Sequence, residues 1–271
     1  MTELVFLKLG GSLITEKNRR FAIRREVLTR LVTEIAAARA AWPELQLVIG
    51  HGSGSFGHVA AQEHGFDPAR GHSSPGGFAA ISAAAAALNA IVRACLLDAR
   101  IPAISLPPSA SAIVENGTIV DLALAPYERL LAWGAVPLTY GDVTVCADRT
   151  NGSILSTEAV FHYLATHLNP NRLILLGQVE GVYAADPRMQ RGLPPVIPEI
   201  TPGNWEKVQA VLGGSHGADV TGGMRGKVAE MLALARAVPG LTIRVASGMR
   251  PGLVEQLLLN RAPSAGTAIH A

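Results

Sequence analysis

The 271-residue chain is 49% hydrophobic, only 16% charged, and carries a formal net charge of +2. That bulk supports a large buried core, in one domain or two fused lobes, while the charge excludes a basic nucleic-acid stripe and an acidic solvating arm. Cys95 and Cys146 show no metal spacing and read as buried thiols of a reducing cytosol; with no leader-like start, and an apolar run at 79–87 too short to span a bilayer, a cytoplasmic protein is expected.

Residues 4–9, LVFLKL, form a short apolar run ending at Gly10 and Gly11, which predicts a buried strand. Helical spacing over 24–41 stops near Trp42 and Pro43, and 45–50, LQLVIG, reads as a second strand. A Gly/Ser loop and a short helix follow, then a turn-rich loop through Ser74, Pro75, Gly76 and Gly77, a long helix over 78–100 and a strand at 101–106. Asn116 and Gly117 between AIVE and TIVD predict a hairpin. Strands are expected at 136–140, 172–176 and 241–246, and helices at 156–167, 204–212, 224–237 and 252–259. Strands and helices alternate almost throughout, which predicts an α/β fold with a mainly parallel sheet.

Three glycine-rich turns follow apolar runs or precede helices: KLGGSLITEK (8–17), HGSGSFGH (51–58) and TGGMRGK (221–227). Consecutive free amides at a helix start make a concave anion site. The chain has no Walker A loop, and its GxGxxG at Gly52, Gly54 and Gly57 lacks the acidic residue that would hold a ribose. Arginine supplies most of the positive charge, with 19 copies against four lysines. Lys8, Lys17 and Lys227 sit at the first and third turns, where compact ammonium groups suit a moving phosphoryl group; Lys207 reads as a surface residue. Together these turns indicate phosphate handling.

These motifs, with YGDV (140–143) and GVYAADP (181–187), fall in an order that resembles the amino acid kinase family over nearly the whole chain. The SFGH ending and the ITEK segment resemble the branch that phosphorylates isopentenyl phosphate, with the fosfomycin kinases close by. The resemblance implies an open three-layer αβα sandwich, with an acceptor-binding lobe at 1–170 and a nucleotide-binding lobe at 171–271. It implies transfer of the γ-phosphoryl group of ATP to isopentenyl phosphate, with Mg²⁺ on ATP oxygens, no dedicated protein metal ligands, and a homodimer that engages neither nucleic acid nor membrane. A fosfomycin kinase and a non-catalytic nucleotide or oxyanion binder are the alternatives.

The resemblance also implies roles. Lys8 bridges donor and acceptor, Gly10, Gly11 and Ser12 offer amides to the outer phosphates of ATP, and Lys17 reaches the γ-phosphate. Gly54 touches the ATP phosphates, Gly52 and Ser53 lie nearer the acceptor, and His58 holds the acceptor's phosphate. Gly141 and Asp142 line the acceptor site, and Phe78, Ile81, Leu88 and Ile91 offer an apolar wall for its tail. Gly181, Tyr183, Asp186 and Pro187 match the adenosine-binding stretch; Gly223 and Lys227 cradle the outer phosphates. His51 reads as a structural strand-end residue. Two departures stand out. Gly177, Gln178, Val179 and Glu180 replace the family's usual Thr-Asp-Val-Asp, and Ser156, Thr157 and Glu158 replace its Ser-Gly-Asp, whose aspartate organises the catalytic lysines. Glu158 is either that organiser or part of a helix capping box; Asp148 is the other carboxylate, or a turn residue.

Overall fold

The computed structural model describes residues 2–16, 19–67, 74–149, 151–185, 192–212 and 223–271. Its first half runs β1 (Glu3–Leu9), α1 (Gly11–Ile14), α2 (Arg25–Ala41), β2 (Leu45–His51), α3 (Gly54–Glu63), α4 (Pro75–Asp98), β3 (Ala103–Ser105), β4 (Ile113–Glu115), β5 (Thr118–Asp121) and α5 (Ala125–Ala132). It continues with β6 (Val136–Tyr140), β7 (Asp142–Cys146), β8 (Gly152–Leu155), α6 (Thr157–Leu168), β9 (Arg172–Gly177), β10 (Glu199–Ile200), α7 (Trp205–Leu212), α8 (Gly223–Ala237), β11 (Thr242–Ser247), α9 (Leu253–Leu258) and β12 (Thr267–Ile269).

Eight strands form one sheet in the order β10-β12-β11-β9-β1-β2-β6-β3. Every pairing in it is parallel except β11 with β12. β1, flanked by β2 and β9, presents Phe6 to one face and Leu7 to the other, and both are fully buried. One core layer joins Leu7, Leu9 and Ile49 to α2, α4 and α9; the opposite layer joins Phe6 and Val48 to α6 and α8. Such two-sided burial is why these strands read as continuous apolar runs rather than alternating ones. The sheet crosses the expected lobe boundary, because β9 and β11 are hydrogen-bonded into the same sheet as β1 and β2.

A second sheet, β5-β4-β7-β8, branches off where β6 turns at Gly141 directly into β7. The expected hairpin is its outer pair: Asn116 (φ +49°) and Gly117 (φ +79°) take the two left-handed positions that a two-residue turn requires. The long helix begins earlier than its apolar spacing indicates. Ser74 caps it by accepting from the Gly77 amide, and Pro75 occupies the first turn, so the presumed loop residues are helical. This corrects the transmembrane argument as well. The apolar run is part of a 24-residue helix long and apolar enough to cross a membrane by length and composition. Here it packs on the sheet, with Leu88, Val92 and Leu96 fully buried. Leu88 is fully buried in that core layer and not free to line a ligand wall, and Ile91, partly buried, packs against the same layer. Phe78 and Ile81 join a separate small cluster with Ala60, Phe66, Val143 and Ile154. Cys95 and Cys146 are free and only partly buried.

Candidate active site

Parallel strands β1 and β2 end side by side, with Leu9 opposite His51, so the first two glycine turns leave the same sheet edge together. They touch. A Cβ on Gly11 would lie 2.5 Å from the Gly54 amide nitrogen, and one on Gly52 would lie 2.8 Å from that of Gly11. Gly54 has φ +52°, and a Cβ there would meet Thr15 Oγ1 at 2.3 Å. The bare backbone that suggests phosphate approach is thus demanded first by the crossing of two turns. Thr15, part of the ITEK motif but given no role by it, locks the crossing: its buried hydroxyl donates to the Gly11 carbonyl (2.8 Å) and accepts from the Ser55 amide (2.9 Å). Its signal was its place four residues beyond Gly11, one helical turn on.

Among the described residues, the N–H groups of Gly11, Ser12, Ser53 and Gly54 have no acceptor. The Ser55 hydroxyl, buried at the start of α3, also lacks a partner among them. Gly10 is a correction: its amide donates to the Leu176 carbonyl (2.8 Å) and is not available to a phosphate, because the chain is still held to β9 there.

Beside these amides, Lys8 Nζ donates to Glu158 Oε1 at 2.7 Å, with side-chain exposures of 13% and 17%. Burial alone would raise the Glu158 carboxyl, but the charge and hydrogen bond of Lys8, helped by the charge of Lys227, bring it below the usual carboxylate range. Glu230, one turn beyond Lys227 on α8, is pushed up by burial and by Glu158, against the pull of Lys227. The structure therefore gathers Lys8, Glu158, Lys227 and Glu230 in one electrostatic neighbourhood. Ser156 caps α6 by accepting from Ala159, and the Glu158 side chain goes to Lys8 instead of closing a capping box. Asp148 is an exposed turn residue.

A model of the amino acid kinase family matches residues 3–247. The chain belongs to the amino acid kinase family. It is 34% identical to the isopentenyl phosphate kinase of Methanothermobacter thermautotrophicus over 265 residues, 94% of this chain and 95% of that protein. It is 36% identical to the isopentenyl phosphate kinase of Haloferax volcanii over 234 residues, 85% of this chain and 88% of that protein. Among solved structures, one of isopentenyl phosphate kinase superposes with a TM-score of 0.81 at 32% identity, covering 98% of this chain and 100% of that one.

The remaining expected site residues divide. His58 stands on α3, exposed and without a hydrogen bond or ion pair among the described residues, one helical turn from Gly54. Lys227 is exposed on α8, which begins at Gly223; Lys17, Asp186 and Pro187 lie outside the described residues. Asp142 is a correction. It is buried, and its carboxylate accepts from Ser82 Oγ and the Ser109 amide, both at 3.2 Å, so it ties α4 to the sheet corner and presents no anion to an acceptor. Gly141 forms that corner, its amide donating to the His51 carbonyl. Gly181 and Tyr183, expected in the adenosine stretch, are held by contacts within the fold. Gly181 is packed against Val196 and Thr267, and the hydroxyl of the buried Tyr183 accepts from the Glu180 amide. Gln178, part of the departure from the family pattern, donates to the Ser12 carbonyl and binds that loop to the first turn. A depression of 530 Å³ lined by Thr2, Arg39, Leu45 and Val136 opens at the opposite ends of the strands, away from the glycine turns.

Proposed function

We propose that the chain transfers the γ-phosphoryl group of ATP to isopentenyl phosphate, giving isopentenyl diphosphate and ADP. One observation carries this reading: amides of two crossed turns that have no acceptor among the described residues stand beside a part-buried Lys8–Glu158 pair within the field of Lys227. The relatives' names supply the acceptor. An acceptor phosphate oxygen attacks the γ-phosphorus in line; the bond from that phosphorus to the β-bridging oxygen breaks, and ADP leaves with the electron pair. A phosphate monoester, with a second pKa of about 6, is already mostly dianionic at neutral pH. The reaction then needs no general base, and catalysis is positioning plus charge neutralisation.

In this reading Lys8, oriented by Glu158, bridges donor and acceptor, and Lys17 and Lys227 neutralise the moving group. Gly11, Ser12 and Gly54 hold ATP phosphates with Gly223 at the far side; Ser53 and Gly52 border the acceptor, and His58 grips its phosphate. Asp186 and Pro187 remain the expected nucleoside contacts. Phe78 and Ile81, with Val143 and Ile154, offer apolar cover for the five-carbon tail. The lobe before residue 170 takes the acceptor and the lobe after it the nucleotide. The pairing of Glu158 with Lys8 suits a Mg²⁺ bound mainly through ATP oxygens, where it would neutralise the outer phosphates.

The same reading includes a cytoplasmic homodimer. Ala79, Ala83, Ala87, Ala90, Ala94 and Leu97 leave one exposed small-residue face along α4, which suits close approach of a second copy. Light scattering after size exclusion tests it, and a monomer at micromolar concentration refutes it.

The deciding experiment supplies ATP and Mg²⁺ with isopentenyl phosphate, dimethylallyl phosphate, fosfomycin or acetylglutamate in turn. ADP formation should depend on isopentenyl phosphate and yield the diphosphate by mass. Turnover indifferent to the acceptor, or fastest with fosfomycin or acetylglutamate, overturns the assignment.

A further inference from the structure

His51 is a fully buried polar side chain that the proposed phosphate contacts do not use. It ends β2, stacked on Tyr140 with ring centroids 5.5 Å apart and planes within 10°. Its Nδ1 lies 3.1 Å from the Gly52 carbonyl, and its Nε2 lies 3.1 Å from Asn89 Nδ2. Asn89 Oδ1 in turn accepts from Ser105 Oγ at 2.6 Å. One proton arrangement satisfies the set. A carbonyl offers no proton, so Nδ1 carries it; Nε2 is then bare and accepts from the Asn89 amide, leaving Oδ1 for the Ser105 hydroxyl. Burial pushes the ring's pKa down to about 4, which keeps it neutral around pH 7.

The main chain of His51 is equally engaged. Its carbonyl accepts from Thr157 Oγ1 (2.7 Å) and from the Gly141 amide. Thr157 opens α6, directly before Glu158. The second glycine turn and the carboxylate that holds Lys8 thus hang on one residue. A three-residue polar relay whose inner members, His51 and Asn89, are buried is costly wherever either loses its partner.

We propose that His51 is a positioning residue for phosphoryl transfer: the Ser105–Asn89–His51 relay holds the Gly52 carbonyl, and thereby aims the Ser53 and Gly54 amides beside the Lys8–Glu158 pair. The proposal rests on the kinase reading above.

Two measurements on the full-length protein test it. In ¹⁵N-labelled parent protein, the His51 imidazole should show a protonated Nδ1 and a bare Nε2, unchanged from pH 6 to 8. In kinetics, Asn89→Leu removes the donor and frees the ring; kcat should fall about tenfold or more while KM for ATP moves less than about threefold, because an interaction tightened in the transition state is lost. Asn89→Asp can keep both contacts only with a charged ring, Nδ1–H still on the Gly52 carbonyl and Nε2–H on the new carboxylate, which also accepts from Ser105; that imidazolium–carboxylate pair should recover most of the lost rate. An Nε2–H tautomer, titration inside that window, or parental kcat in a folded Asn89→Leu variant overturns the positioning role. Absent isopentenyl phosphate turnover in the parent would instead sink the kinase reading, which the tautomer measurement does not depend on.

Discussion

Replacing Glu158 with glutamine removes one charge from the contact on which the site is organised. The 2.7 Å separation gives a gross attraction of about 6 kcal/mol at an effective dielectric constant near 20. Much of that repays desolvation, so the useful figure is the cost of stranding Lys8, about 3–5 kcal/mol for a fully buried pair. Both side chains keep some solvent contact, at 13% and 17%, which places Glu158→Gln near the low end, about 3 kcal/mol at neutral pH. The pH dependence has a definite sign. Glu158 titrates below its unfolded value in the native state, so its stabilisation is complete above that unfolded value, near 4.3, and is lost as pH falls through the folded value. Urea denaturation of parent and variant should therefore show a wide gap at pH 7 that narrows progressively below about pH 5. Catalysis should fall about a hundredfold at pH 7, since Lys8 loses the group that aims it. A stability gap that stays constant with pH, or a variant of parental stability with parental kcat, would refute the pairing argument.

Three further outcomes follow from other contacts. His58→Ala should raise KM for isopentenyl phosphate more than about tenfold and leave KM for ATP unchanged, because the exposed ring has no structural partner to lose among the described residues; equal effects on both substrates in steady-state assays would refute its acceptor role. Gly54→Ala forces φ +52° on a residue with a Cβ and drives that atom to 2.3 Å from Thr15 Oγ1. Denaturation should show a loss of at least about 2 kcal/mol together with depressed kcat, and a loss under about 0.5 kcal/mol would mean the turns do not cross so closely. Glu34→Gln acts far from the chemistry. Its buried carboxylate accepts from the Gly252 and Val254 amides (2.9 Å each) and from Arg30 (2.7 Å), holding α9 to α2. Thermal unfolding should show about 2–4 kcal/mol of destabilisation with both KM values unchanged below the transition, and a shift in KM would contradict its purely structural place.

What the sequence reveals about this fold depends on how local the cause is. The central strands, the caps-to-breakers limits of α2, α6 and α8, and the Asn116–Gly117 hairpin each follow from a few adjacent residues, and they lie within two residues of where the pattern puts them. β7 and β8 escape the pattern because Gly141 turns the chain with no break between β6 and β7, and because β8 is four residues long. α5 and β12 pass unmarked between stronger signals. The site behaves the same way. Lysines and glycines mark its chemistry in sequence, but the reason for the glycines is a crossing of turns more than 40 residues apart, which only the β1–β2 register creates. Asp142 sits in a motif that suggests ligand contact, and long-range packing turns its carboxylate to Ser82 and Ser109 instead. Glu158 shows the converse. Its departure from the family's aspartate looks like a local capping choice, yet the longer side chain reaches across from α6 to Lys8 on β1, 150 residues away in the chain. A substitution that a helix-cap argument explains locally is thus explained better by the distance it has to span, and shortening it to aspartate tests reach separately from charge.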